Sequence, residues 1–203
     1  MRNDNKQIKI DNNIYKELKE ISEKIQSKEV LNPISLSSKI EKVSKYFKNK
    51  KKEKDKILEK FWNEELSRQF SAPICANFAD GWKEEDIIKK AMLLSIYLRL
   101  DGLKSSQLRK FLDLATNVHN LIKYQKHQKN LHEEILPRII KMRYILAYQA
   151  GKERTVEKLY AVLDPMLQIL QKADDNNFKK NFGKFYEFLQ AIVAYHKFFG
   201  GAD

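Results

Sequence analysis

The sequence predicts an all-α protein, a compact antiparallel helical bundle of about five helices with an additional helical N-terminal arm. Only six Gly and four Pro occur among the 203 residues, whereas a many-stranded β fold needs turn residues far more often. The long stretches between them are rich in Lys, Glu, Leu and Ile, which favour helix. Apolar residues also recur at the three-to-four-residue spacing of a helix, and the chain is long enough to bury a substantial core.

Two helices are expected in the N-terminal part, one on either side of Pro33, with Ser35, Ser37 or Ser38 as the cap of the second. The second helix leads into a lysine run, KNKKKEKDK, at residues 48–56. Such a run is most often a solvated face or a flexible joint, and alternatively it is a nucleic-acid-binding tail.

The part of the chain from residue 84 onward predicts five helical segments joined by short connections, and therefore antiparallel neighbours. Ser105 or Ser106 is expected to cap the second segment. Pro137 fits the first turn of the third, Gly151 fits the position after its end, and Pro165 fits the start of a fresh turn. The segments are expected over residues 84–100, 105–128, 135–151, 153–163 and 177–199.

The formal net charge of +12 is unevenly distributed. Residues 1–60 and 104–203 each contain 17 basic and 10 acidic side chains, whereas residues 61–103 contain 5 and 7. A basic excess of this size favours polyanionic partners, although a lysine-rich composition also simply keeps a helical protein in solution. We interpret residues 1–80 as a basic N-terminal helical extension and residues 81–203 as the bundle domain.

The single cysteine, Cys75, excludes an internal disulfide, and inert burial is expected for it. The first residues, MRNDNKQIKIDNN, lack the apolar core of a secretory signal. The apolar-rich stretch over residues 91–100 is too short to span a bilayer. A cytoplasmic protein without membrane contact is therefore expected.

No catalytic constellation is evident. Helical ribonucleases carry an Arg followed four to six residues later by a His, and Arg109 is too far from His119 for that pattern. His127, His132 and His196 likewise show no pairing with carboxylates at metal-ligand spacing. The sequence predicts a protein that is not an enzyme and needs no metal or cofactor.

Two clusters of polar residues remain as candidate binding sites. The first lies at a predicted helix N-terminus and comprises Lys104, Ser106, Arg109 and Lys110. Free backbone N–H groups, the positive end of the helix dipole and these side chains together suit a phosphate. The alternative is a plain serine cap with solvated cations.

The second cluster combines cations with tyrosines, which can pair with phosphates and stack on bases. Arg143 lies off the apolar stripe of its helix and is expected to be exposed. The alternative is that both tyrosines only fill space in the bundle. The cluster consists of Lys141, Arg143, Tyr144, Tyr148, Lys152 and Arg154.

Three stretches carry a resemblance to a known family: SSQLRKF (105–111), ILAYQAGK (145–152) and FYEFLQAIVAYHKFFGG (185–201). In order and separation they resemble the small subunit of the type III-A, Csm-type CRISPR interference complex. The similarity covers about residues 84–203. One departure is Gln190, where the family usually has an acidic residue.

The resemblance implies a non-catalytic, RNA-binding structural subunit of an antiviral CRISPR ribonucleoprotein. Such a subunit contacts the backbone of target RNA along the guide–target duplex and assembles with other effector subunits and with copies of itself, while other subunits cut nucleic acid. The alternatives are a helical protein–protein interaction adaptor with basic faces and no direct RNA role, and an uncatalogued helical ribonuclease.

The last predicted helix carries more aromatic residues than one helix face can bury, so that some are expected to meet another helix or another protomer. These aromatic residues are Phe182, Phe185, Tyr186, Phe188, Tyr195, Phe198 and Phe199.

Overall fold

The structure is a computed structural model that describes residues 11–27, 32–124 and 131–203. Within these residues all regular secondary structure is helical, as the sequence predicts, and no strand is present. The chain divides into two compact units, Met1–Arg68 and Gln69–Asp203.

The first unit is built from three amphipathic helices that pack against one another. Each helix buries an apolar stripe, with Ile14 and Leu18 in the first, Ile40 in the second and Ile57 and Phe61 in the third. A π-helical turn, Trp62–Leu66, continues from the third helix. The three helices are α1 (Asn12–Gln26), α2 (Pro33–Asn49) and α3 (Lys51–Phe61).

The caps in this unit differ from the prediction. The side chain of Asn32 accepts a hydrogen bond from the backbone N–H of Ile34 at 3.0 Å, with Pro33 at the first helical position of α2. The expectation that a serine caps α2 is therefore wrong. An Asn-Pro pair supplies both the side-chain acceptor and the preset φ, so the helix begins before the serines are reached.

The short helix Ser67–Phe70 spans the boundary between the two units, two further short helices follow it, and five long helices follow those. This confirms the prediction of five helices from residue 84 onward within the described residues. A 3₁₀ turn, Arg154–Val156, lies between the third and fourth long helices. The helices are α4 (Ser67–Phe70), α5 (Ala72–Ala76), α6 (Phe78–Gly81), α7 (Glu84–Asp101), α8 (Ser105–Tyr124), α9 (Leu131–Lys152), α10 (Glu157–Lys172) and α11 (Asp175–Phe198).

The helices α7 and α11 form the centre of the second unit. From Lys90 to Leu98 every residue of α7 is buried, so this helix has no solvent face there. It packs along α11, where the Ser95 hydroxyl donates to the Ile192 carbonyl at 2.9 Å. The ring of Tyr186 on α11 stacks on that of His119 on α8, with centroids 4.3 Å apart. Phe188 lies edge-to-face against Trp82, with ring centroids 5.1 Å apart. The prediction that α11 aromatics meet other helices is thus confirmed.

The segment before α7 is fastened to the second unit by two lysines. Lys90 donates from its Nζ to the Gln69 carbonyl and to the Gln69 side chain, at 3.1 and 2.8 Å. Lys184 donates to the carbonyls of Ala79 and Trp82 at 2.5 and 3.1 Å. Cys75 is fully buried, as expected, and burial raises the pKa of its thiol to about 12.

Three boundaries inside the bundle differ from the prediction. Pro137 and Gly151 lie within α9, and Pro165 lies within α10, which runs on to Lys172. A proline removes one backbone hydrogen bond, and the helices continue because packing of their apolar faces outweighs that local cost. Among the described residues, every helix is too short or too polar to span a bilayer.

Candidate nucleic-acid interface

One face of α9 presents two lysines and two tyrosines to solvent. Lys141, Tyr144, Tyr148 and Lys152 recur every three or four residues, so they line a single stripe at 3.6 residues per turn. Tyr144 is 57% exposed and Tyr148 is 71% exposed. These tyrosines do not fill space in the bundle, and we call the four residues the α9 stripe. Its two lysines lie about 16 Å apart along the helix axis.

The opposite face of α9 explains why the stripe is exposed. Ile135, Ile139, Met142 and Leu146 are all buried and point to the packed side of the helix. They hold α9 against α8 and α10. The same periodicity that builds the core therefore fixes the direction of the stripe.

Arg143 lies beside the α9 stripe, but its guanidinium binds two side chains of α10. Its guanidinium Nε and Nη2 donate to the two carboxylate oxygens of Asp164 at 2.8 and 3.3 Å, and its Nη1 donates to Gln171 at 2.7 Å. The Arg143 side chain is 31% exposed and that of Asp164 is 9% exposed. Arg143 is expected from the sequence to be exposed, but it is only partly so, because its guanidinium binds the Asp164 carboxylate on α10.

The hydrogen bonds at the N-terminus of α8 differ from the prediction. The side chain of Gln107 accepts a hydrogen bond from the backbone N–H of Lys104, the residue before α8, at 3.0 Å. The backbone N–H of Ser105, the first residue of α8, donates to the Ala202 carbonyl at 2.7 Å. Ser105 is buried, and its hydroxyl lies 3.2 Å from Nδ1 of the buried His196. Ser106 is exposed. The predicted serine cap is therefore wrong.

Exposed cations surround this helix start. Lys104 is exposed just before α8, and Arg109 and Lys110 are exposed on its surface. Arg109 pairs with the carboxylate of Asp203, which Lys197 also contacts at 2.9 Å. Since Asp203 neutralises part of the charge there, Lys104 and Lys110 are the cations of this group without an ion pair among the described residues.

A side-chain contact brings the two predicted clusters together. Gln107 Nε2 at the start of α8 donates to Glu153 just beyond the end of α9, at 2.6 Å. Lys152 therefore lies close to the N-terminus of α8, and α8 and α9 run antiparallel. Arg154 follows in the 3₁₀ turn and donates to Asp101 at 3.1 Å. Lys141 remains separate, near the middle of α9.

The comparisons with known proteins concern this same domain. The sequence model of the type III-A Csm2 family matches residues 82–202, more than half of the chain. The chain belongs to this family. It is 31% identical over 125 residues to a Streptococcus thermophilus protein named "CRISPR system Cms protein Csm2", covering 59% of this chain and 96% of that one. It is 30% identical over 107 residues to an Enterococcus italicus protein of the same name, covering 51% of this chain and 72% of that one.

In this Csm2-family domain, two of the three resembling stretches meet at the start of α8. Ser105 touches His196, and its backbone N–H donates to the Ala202 carbonyl at 2.7 Å. Gly201 lies so close to the His196 ring that a β carbon would collide with it, and Gly200 has a φ of +83°. These residues join the C-terminal end of α11 to the start of α8. The two stretches that resemble the family therefore include residues that pack against each other in the bundle.

The histidines of the domain give no catalytic arrangement among the described side chains. Burial lowers the pKa of His196 to about 4, so this ring is neutral at neutral pH. His119 stacks on Tyr186 with ring centroids 4.3 Å apart. His127 lies outside the described residues, and only the backbone of His132 is described. No group of three potential metal-ligating side chains occurs in the described parts of the chain.

Sequence reasoning missed the partners that neutralise three of the predicted arginines. Asp164, Asp101 and Asp203 are distant in sequence from the arginines that they bind. No spacing rule relates such pairs, because they lie on different elements. Lys197, the second partner of Asp203, was missed for the same reason.

Proposed function

We propose that this Csm2-family protein is a non-catalytic, RNA-binding structural subunit of a type III-A CRISPR ribonucleoprotein. It contacts the backbone of target RNA along the guide–target duplex, as one part of an assembly with other effector subunits and with copies of itself. Membership of the family supports the complex, and the exposed α9 stripe is the observation that supports the RNA contact.

The lysines without an ion pair carry the electrostatic part of this proposal. Lys104, Lys110, Lys141 and Lys152 are exposed, and the described residues offer them no carboxylate partner. A lysine of this kind can neutralise an RNA phosphate and release the cations condensed on the RNA, whereas Arg143 would first have to leave Asp164. Among the predicted site residues, these four lysines therefore bear the phosphate contacts, with Ser106 as an exposed hydroxyl nearby.

The tyrosines define how RNA is contacted. In a guide–target duplex the bases are paired, so their faces are not available for stacking. The phenolic hydroxyls of Tyr144 and Tyr148 can instead donate to phosphate or ribose oxygens between the two lysines. Sequence is then read by base pairing with the guide, and this protein binds independently of sequence.

A charge experiment tests the phosphate contacts. Lys141→Gln with Lys152→Gln should reduce the slope of log affinity against log salt by about one unit per lysine, without changing sequence preference. The measurement is fluorescence anisotropy with an RNA duplex at several salt concentrations. The control removes the same charge at Lys172 and Lys179, which are exposed on α10 and α11. Equal slopes for the two pairs of substitutions would refute the proposal that the α9 stripe contacts RNA phosphates.

A second pair of variants separates hydrogen bonding from stacking. Tyr144→Phe with Tyr148→Phe removes only the two hydroxyls, and it should weaken duplex binding as much as the corresponding Tyr→Leu changes. Retained affinity in the Phe variant would show that the rings stack instead. An absence of RNA affinity in the wild-type protein even at low salt would support the adaptor alternative.

A further inference from the structure

The first unit carries a concentrated basic surface that the α9 stripe does not include. Residues 45–56 contain seven lysines and two acidic side chains. They span the end of α2, the non-helical Lys50 and the first half of α3. This stretch lies outside residues 82–202, which match the family model.

Ion pairs neutralise most of the other lysines of α2. Lys39 lies 2.8 Å from Glu20, and Lys42 pairs with Glu17, so the acidic residues of α1 are matched to the beginning and middle of α2. Lys45 pairs with Glu41 at 2.8 Å on α2 itself. Among the lysines of α2 and α3, those without an ion pair in the described residues therefore concentrate where α2 ends and α3 begins.

Three lysines of α3 remain without an ion pair among the described residues: Lys51, Lys52 and Lys56. All three are exposed. Lys52 and Lys56 are four residues apart, which places them on one face with β carbons about 6 Å apart. Glu53 does not neutralise them, because it binds Lys50 at 2.9 Å and accepts the Tyr46 hydroxyl. We call Lys51, Lys52 and Lys56 the α3 lysine surface.

The location of these lysines is unfavourable for the isolated helix. Lys50, Lys51 and Lys52 stand at the N-terminus of α3, where the helix dipole is positive, and no side chain caps this end. Cations there repel the dipole and one another, while the first backbone N–H groups of α3 lack a side-chain acceptor. An external anion would relieve both effects, which is a second reason, besides net charge, to expect a polyanion at this surface.

We propose that the α3 lysine surface is a second RNA-binding surface, which holds the phosphate backbone of RNA independently of sequence. A protein partner fits less well, because protein interfaces are centred on buried apolar or aromatic anchors. The exposed large apolar residue described for this unit is Ile34, at the opposite end of α2. Flexible lysines without such an anchor match a chain of phosphates, and the surface adds a contact beyond those of the bundle domain.

The test compares two triple variants of the full-length protein. Lys51→Gln, Lys52→Gln and Lys56→Gln together should lower the salt slope of RNA binding by about two units, for a single-stranded RNA of mixed sequence. The matched control removes the same charge from α1 by Lys16→Gln, Lys19→Gln and Lys24→Gln. The salt slope of this α1 control should fall by less than half as much as that of the α3 triple variant. Circular dichroism checks that both variants retain their helices.

The outcomes distinguish this proposal from that for the α9 stripe. If both surfaces bind RNA, the α3 triple and the Lys141 and Lys152 pair should lower the slope additively when combined. A slope unchanged by the α3 triple, or lowered equally by the α1 control, would overturn the α3 proposal whatever the α9 variants show. A loss confined to the α3 triple would support it even if the α9 variants bind normally.

Discussion

His196 illustrates how a single buried residue links the stability of the bundle to pH. The ring contacts the Ser105 hydroxyl, and Gly201 of the C-terminal segment packs closely against it. Desolvation lowers its pKa, and the nearby charges of Arg99 and Lys197 act in the same direction. The neutral ring is therefore a structural element of the junction between α8 and α11.

A pH-dependent loss of stability follows from this shift. The pKa of His196 is about 4 in the folded protein, whereas that of an unperturbed histidine is 6.5. Between these values the unfolded chain binds more protons, so stability should fall as pH falls, by up to about 3 kcal/mol for this residue. Chemical denaturation at pH 7, 6 and 5 measures the change.

Two substitutions make the pH experiment specific. His196→Gln should flatten the dependence between pH 7 and pH 5, while lowering stability at neutral pH because a packed ring is lost. His119→Gln changes a half-buried histidine of α8 and should leave the dependence in place. The interpretation fails if wild-type stability is constant over this range.

At the scale of elements, α9 combines a structural face, a structural ion pair and an exposed stripe. Its residues Arg143 and Tyr144 are adjacent in sequence, but one binds Asp164 and the other faces solvent. Helical periodicity fixes which residues share a face. The identity of the neighbouring helix decides whether a residue at the edge of that face finds a partner.

The contact between α9 and α10 should depend on Arg143 more than on Asp164. Arg143→Ala leaves the buried Asp164 carboxylate with Gln168, at 2.6 Å, as its one remaining donor among the described side chains, and should cost about 2 kcal/mol. Asp164→Ala should cost less, because the freed guanidinium can turn to water. A double-mutant cycle by urea unfolding should give a coupling of about 1–3 kcal/mol.

The control for this cycle is Arg138→Ala on the same helix. Arg138 is exposed and donates to the Glu134 carbonyl at 3.2 Å, so its removal should change stability by less than about 0.5 kcal/mol. A coupling near zero between Arg143 and Asp164 would contradict the structural role and return Arg143 to the candidates for RNA contact.

At the scale of the whole molecule, the question is to which of the two units residues 69–80 belong. They belong to the unit Gln69–Asp203 by their contacts, although the family model begins at residue 82 and the sequence suggested a boundary after residue 80. Phe70, Cys75 and Phe78 from this segment are buried. The segment thus contributes core residues to the bundle.

Fragments with different start points test this division. A fragment of residues 69–203 should unfold cooperatively and keep the pH dependence of His196. A fragment of residues 81–203 should be less stable by several kcal/mol. The truncation removes the buried side chains of Phe70, Cys75 and Phe78, together with Gln69, which accepts the hydrogen bonds of Lys90. Thermal unfolding followed by circular dichroism compares the two, and equal stability would favour the boundary at residue 80.

The sequence alone determined the helical class, the five long helices of the bundle and its buried stripes, because these follow from periodicity within each helix. It also located the α9 stripe, whose four members lie within one helix. It misjudged Pro137, Gly151 and Pro165, since packing of a long apolar face outweighs a local helix-breaking preference.

The tertiary structure alone decided which cations remain available. The partners of Arg109, Arg143 and Arg154 come from other elements, and no local pattern encodes such a pairing. Burial on all sides of α7 and the contact of Ser105 with His196 are likewise set by helices distant in sequence. A side chain's position on its helix is a local property, whereas its charge is free or neutralised according to what the fold places beside it.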